Sequence, residues 1–157
     1  QFERWHQLVT PQYTPIAGTP KVVLVDIDGT AARMDGKRKP FEWDKVHLDA
    51  RNDHVYYIVK GLELQGIEII FLSGRDGCCY DATHKWLKDN DFNFSKLLMR
   101  KPGDCRKDDI VKSEIFNEHI ANNYNVQMVI DDRPQVVRMW LSIGIKVCIM
   151  GNPWIEF

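Results

Sequence analysis

A chain of 157 residues, 44% apolar and 27% charged, is long enough for one domain with a well-buried core and too apolar to stay disordered. A net charge of −1 excludes a uniformly basic nucleic-acid coat and leaves room for a local basic patch. No apolar run has the length of a membrane span and no signal-peptide pattern opens the chain. The four cysteines, Cys78, Cys79, Cys105 and Cys148, lack metal or C-x-x-C spacing, which fits free thiols in a reducing cytosol.

Residues 1–20 hold Pro11, Pro15, Gly18 and Pro20 among polar and aromatic residues. Gln1–Gln7 read as the last turns of a helix and the rest as an extended linker, the tail of an upstream domain. The domain proper is expected over residues 21–157. It opens with Lys21-Val22-Val23-Leu24-Val25, an apolar run of the kind that forms a strand buried on both faces. Asp26-Ile27-Asp28-Gly29-Thr30 follows. Side chains two apart in extended chain point the same way, so Asp26 and Asp28 face one pocket at the strand's carboxyl end. One carboxylate can attack a phosphorus or carbon centre while the other moves protons, or both can hold a hard cation. The plain reading is a strand end with solvated acids in an Asp-Gly turn.

Asp35-Gly36 signals a turn, and its flanks predict a short hairpin flap. The flap carries Lys37-Arg38-Lys39, either a solvated tip or a clamp for phosphate. Asn52 or Asp53 is positioned to cap a helix that buries Val55, Ile58, Val59 and Leu62 and closes at Gly66. Ile67–Leu72 predicts a second strand, ending in Ser73-Gly74-Arg75. A short helix over Asp81–Asp89 and a strand over Lys96–Met99 come next. Asp104 then opens a longer helical stretch with Ile110, Val111, Ile115, Phe116 and Ile120 facing inward. Val126–Ile130 predicts a strand ending in Asp131-Asp132-Arg133-Pro134. A helix from Pro134 to Ile143, with proline in its first turn and Gly144 after its end, leads to a last strand over Ile145–Met150.

This alternation predicts an α/β fold: a doubly wound, five-stranded parallel sheet of Rossmann-like type with right-handed crossovers, a small flap and no large cap domain. The chemically loaded residues all follow strand ends, where such sheets bind ligands. Four aspartates in one pocket, with no Cys or His cluster, call for a hard divalent ion, and Mg2+ is the expected cofactor. Asp108 and Lys112 are four apart on one helix face, the geometry of a surface ion pair or of a lysine supplied to the site. Carboxylates, a hydroxyl and cations together fit phosphoryl transfer.

Asp26-Ile27-Asp28-Gly29-Thr30 resembles the D-x-D-G-T signature of the haloacid dehalogenase superfamily. Ser73, Lys112 and Asp131-Asp132 are similar to its second, third and fourth motifs. Gly103-Asp104-Cys105-Arg106-Lys107-Asp108-Asp109-Ile110-Val111-Lys112 and Ile130-Asp131-Asp132-Arg133-Pro134-Gln135-Val136-Val137 narrow the resemblance to the 3′-phosphatase domains of phage polynucleotide kinase-phosphatases. The resemblance covers nearly all of residues 19–150. It implies Mg2+-dependent removal of 3′-phosphate from RNA or DNA ends in end healing, with 2′,3′-cyclic phosphate an open second substrate and a small-molecule nucleotidase the alternative. It implies Asp26 as nucleophile and Asp28 as acid and base, with Ser73 and Lys112 on phosphate oxygens and Asp108 orienting the lysine. It also implies Thr30, Arg38 (or Lys37) and Arg75 at the substrate, and Asp26, Asp28, Asp131 and Asp132 at the metal.

The implied partners are single-stranded or nicked polynucleotide 3′ ends and an upstream kinase domain, with homo-oligomerisation open and no membrane. The implied compartment is the cytoplasm of a phage-infected cell. No G-x-x-x-x-G-K-[ST] occurs here, so kinase activity is not expected of this chain. The segment without a lid suits a polymer end, and Phe41, Trp43 and Tyr80 are candidates either to stack a base or to pack at the rim.

Overall fold

The computed structural model describes residues 12–157, so the helical turns expected over Gln1–Gln7 lie outside the described residues. In chain order the strands are β1 (Lys21–Val25), β2 (Ala32–Arg33), β3 (Ala50–Arg51), β4 (Glu68–Asp76), β5 (Lys96–Arg100), β6 (Asn125–Asp131) and β7 (Val147–Ile149). The helices are α1 (Asp53–Leu64), α2 (Tyr80–Asp89), α3 (Asp108–Ile115) and α4 (Pro134–Ser142). Five strands form the expected parallel sheet in the order β5-β4-β1-β6-β7, while β2 and β3 make a separate antiparallel pair.

Strand β1 is central because its side chains feed two cores. Val23 and Val25 pack with Val55, Val59, Phe71, Trp86 and Phe92 on one face; Val22 and Leu24 pack with Phe116, Ile120, Val136 and Trp140 on the other. All four of these apolar β1 side chains, Val22 to Val25, are fully buried, each contributing about 1.5–3 kcal/mol. From β1 the chain builds outward to β4 and β5, then returns past β1 to β6 and β7. The order therefore reverses between β1 and β6, the switch point where open α/β sheets place their ligands. Among the described residues no cap domain stands between the strands.

Strand β4 runs on through Ser73, Gly74 and Arg75 to Asp76, past the end expected at Leu72. The helix expected from Asp104 begins only at Asp108. Asp104 instead accepts the main-chain N–H of Arg106 at 3.1 Å, a local turn that competes with helix. Val111, Phe116 and Ile120 face the core, but Ile110 is 44% exposed. Lys112 takes the inward direction, and a π-helical turn over Phe116–Ile120 brings the last two apolar residues into line.

The flap turn forms at Asp35-Gly36, both with positive φ, closed by the Lys37 N–H on the Met34 carbonyl. Its flanks do not pair as a hairpin. The ladder is Ala32–Arg33 against Ala50–Arg51, and the chain between is loop and a 3-10 turn over Trp43–Leu48. Pro40 has no N–H to give a ladder, and the Arg38 side chain is turned inward. Asn52 precedes α1, but its side chain donates to the Thr30 carbonyl at 2.9 Å rather than capping the helix. Gly66 closes α1 as expected, with the Ile67 N–H returning to the Leu62 carbonyl. In the segment read as linker, Tyr13 packs edge-on against Phe116. Its hydroxyl donates to the Tyr124 carbonyl and accepts the Val126 N–H.

Candidate active site

Parallel pairing brings the ends of β1 and β6 together, and the Asp26 N–H bonds the Ile130 carbonyl at 3.0 Å. Asp26 therefore lies beside Asp131. Carboxylate oxygens of Asp26, Asp131 and Asp132 all lie within 4.8 Å of one another. Lys112, buried on α3, spans two of them: its Nζ is 2.8 Å from Asp26 Oδ1 and 2.9 Å from Asp131 Oδ2. The Thr30 hydroxyl is shared between Asp26 Oδ2 at 3.3 Å and Asp132 Oδ1 at 3.2 Å. Gly29 makes room for this: its φ is +78°, and a Cβ there would stand 2.0 Å from Asp132 Oδ2.

Burial, reinforced by Asp131 and Asp132 against the pull of Lys112, holds the Asp26 carboxyl well above the usual range. Burial also raises Asp132, with Asp131 adding to it. Burial alone would push Lys112 down, but Asp131 and Asp26 outweigh it and its ammonium is held above its ordinary value.

Asp28 stands apart from this cluster. Its carboxylate meets Arg38 NH2 at 2.9 Å and Arg75 NH2 at 2.7 Å, with Arg75 Nε also on it. Both guanidiniums are buried and share a second carboxylate, Asp49. Arg38 reaches Asp49 through Nε at 2.7 Å and NH2 at 2.8 Å, and Arg75 through NH2 at 2.7 Å. Two guanidiniums and two carboxylates balance in charge, and only Asp28 keeps an opening, its side chain 29% exposed. The Asp49 carbonyl is held by Trp86 Nε1 at 2.9 Å, and Arg75 NH1 meets Thr83. Ser73 is buried and its hydroxyl accepts the Arg75 N–H at 3.1 Å.

Asp108 opens α3 but makes no direct bond to Lys112 among the described residues. It pairs instead with Arg100 and, at 2.6 Å, with Arg133. Arg100 also donates to the carbonyls of Gly74, Asp104 and Arg106, tying β4 to the loop before α3. Burial would raise Asp108, but Lys112, Arg133 and Arg100 hold it below its ordinary value.

Residues 20–152 match the family described as polynucleotide kinase PNKP phosphatase domain. The chain belongs to that family. A protein of Autographa californica nuclear polyhedrosis virus, named as a bifunctional polynucleotide kinase/RNA ligase, is 39% identical over 150 residues, 92% of this chain and 22% of the viral protein. A chain of the Pnkp1/Rnl/Hen1 complex is 34% identical with a TM-score of 0.83, covering 90% of this chain and 50% of its own. A chain of the Pnkp1/Rnl/Hen1 RNA repair complex is 32% identical with a TM-score of 0.86, covering 94% and 48%. The class C acid phosphatase of Bacillus anthracis, solved with tungstate bound, shares the fold at 18% identity and a TM-score of 0.59, over 89% of this chain and 70% of that one. This phosphatase domain thus spans half or less of the longer relatives. It is a phosphoric monoester hydrolase of the haloacid dehalogenase fold.

The donor set of the phosphatase fits a hard cation. Three carboxylates against one ammonium leave two negative charges, the complement of a divalent ion, and every donor is oxygen. The site brings together Asp26, Asp131, Asp132, Lys112 and Thr30 in one group, and Asp28, Arg38 and Arg75 in a second. The Asp28 carboxylate, counted among the four aspartates expected around the cation, is turned to the arginines instead. Sequence reasoning missed Asp49, Arg100 and Arg133. Asp49 follows a stretch without periodicity, and nothing in its neighbours marks it as buried. No helix among the described residues is long and apolar enough to cross a membrane.

Proposed function

We propose that this domain removes the 3′-phosphate from RNA or DNA ends through a phosphoryl-Asp26 intermediate. The observation that carries the reading is the unlike placement of Asp26 and Asp28: one buried on Lys112, the other at the mouth on two arginines. Asp26 attacks phosphorus and the bond to the 3′ oxygen breaks, with Asp28 giving that oxygen its proton. Asp28 then takes a proton from water, which attacks phosphorus, breaks the bond to Asp26 and releases phosphate. Asp26, Asp131 and Asp132, with the Asp28 carbonyl, would hold Mg2+, which when bound supplies positive charge to the phosphate oxygens.

An entering phosphate competes for the guanidiniums that hold Asp28, and so frees a carboxylate oxygen towards the leaving group. Lys112 and Ser73 serve phosphate oxygens; Thr30 positions Asp26; Asp108 supports the loop that carries α3. No lid covers the site among the described residues, which suits a polymer end, and the relatives named for polynucleotide kinase, RNA ligase and RNA repair support RNA ends as substrates and kinase or ligase modules as partners. Trapping tests the intermediate. A substrate labelled at its 3′-phosphorus leaves label on the acid-quenched protein and none on Asp26→Asn; label on both, or on neither, contradicts the route.

A further inference from the structure

Phe41 is 82% exposed beside the site. A phenyl ring this exposed adds little to folding, yet its turn is held by hydrogen bonds. The turn that carries it is closed by the Glu42 N–H on the Lys39 carbonyl at 3.1 Å and the Lys39 N–H on Glu42 Oε2 at 2.7 Å. Lys45 holds the other Glu42 oxygen at 2.8 Å. Arg38, whose NH2 touches Asp28, also donates through NH1 to the carbonyls of Lys39 and Pro40 at 3.2 and 3.1 Å. One guanidinium therefore holds both the acid and the aromatic turn.

Trp43 backs Phe41 edge-on, ring centroids 5.9 Å apart at 80°, and lies 5.9 Å from the Arg38 guanidinium carbon. Lys37 and Lys39, which precede Phe41 in the same loop, are exposed and form no ion pair among the described residues. Tyr80, also exposed, stacks on His84 and has no such tie to Asp28 among the described residues. An exposed aromatic on a hydrogen-bonded turn, with cations in the same loop, suits a nucleobase with its phosphate.

We infer that Phe41, held by Trp43, is the stacking platform for the 3′-terminal nucleobase, and that Lys37 and Lys39 meet the adjoining internucleotide phosphate. This rests on the polynucleotide reading above and makes the base itself part of substrate choice. The test compares a 3′-phosphorylated oligonucleotide with its twin lacking the terminal base. The unaltered domain is expected to prefer the intact end about tenfold in kcat/KM, within the range base–aromatic stacking supplies. Phe41→Ala is expected to bring that ratio to about one, and Phe41→Trp to keep it. An unchanged ratio in Phe41→Ala, or no preference in the unaltered domain, overturns the inference.

The same pair of oligonucleotides with 3′-hydroxyl ends, followed by fluorescence anisotropy, separates it from the parent reading. Phosphate released from neither oligonucleotide, with a tenfold binding preference that Phe41→Ala abolishes, rejects the phosphatase reading and keeps the base site. Equal binding of both overturns the base site.

Discussion

Lys112 Nζ lies 2.8 Å from Asp26 Oδ1 across 86 residues of chain, and the same nitrogen holds Asp131 at 2.9 Å. A helix thus delivers the one ammonium that lets two strand ends carry carboxylates side by side in the core. Replacing Lys112 by methionine leaves those carboxylates buried without their cation. Breaking a buried pair from one side costs about 3–5 kcal/mol, so Lys112→Met in chelator is expected to lose that much in urea unfolding. Equal stability would show that the lysine is not what holds the cluster.

Asp49 is fully buried and accepts from both arginines that grip Asp28. It touches no part of the reaction as proposed, yet it sets where Asp28 stands. Asp49→Asn is expected to lower kcat about a hundredfold, the scale of an ångström's misplacement at a reacting group. Steady-state kinetics check this; a kcat within twofold of the parent would show that the arginines are placed without it.

Gly29 combines a positive φ with a contact no side chain tolerates, 2.0 Å from its Cβ position to Asp132 Oδ2. Gly29→Ala is expected to cost about 1–3 kcal/mol in backbone strain. Pushing Asp132 aside is expected to raise the Mg2+ concentration for half-maximal rate about 10- to 100-fold. A metal titration beside a urea melt reads both effects. An alanine variant indistinguishable in both would contradict the geometry at this turn.

Arg106 grips Asp104 by its guanidinium and main-chain N–H and so lowers the Asp104 pKa from 3.8 to about 2. A depressed carboxylate contributes stability that is present above its ordinary value and lost as pH falls through about 2. In Arg106→Ala, NMR titration is expected to show Asp104 moving up towards 3.8, with the main-chain bond still in place. No movement would assign the shift to the backbone alone.

The strands and the clustered carboxylates were legible because their signals are local. Val22–Val25 form an unbroken apolar run, and Asp26, Asp131 and Asp132 directly follow such runs. Lys112 was legible from its spacing, but its partner was not. Helix spacing pairs it with Asp108, while the tertiary fold sends it to Asp26 and Asp131 and gives Asp108 to Arg100 and Arg133. Asp49 was invisible because burial of a carboxylate is decided by two arginines, 11 and 26 residues away. The late start of α3 has a local cause: the Asp104 side chain closes a turn on the Arg106 N–H, and the chain enters the helix only at Asp108.

If Asp26 and a divalent cation remove phosphate from the 3′ end of a polynucleotide, one comparison shows it most directly. Phosphate release should be measured on matched oligonucleotides bearing a 3′- or a 5′-phosphate, with Mg2+ and with chelator, beside Asp26→Asn. Losing a catalytic nucleophile costs at least about 10^4-fold in rate, so release is expected from the 3′-phosphate alone, with Mg2+ alone, and not from the variant. Equal release from both ends, faster release from mononucleotides, or full activity in chelator or in Asp26→Asn would contradict the account.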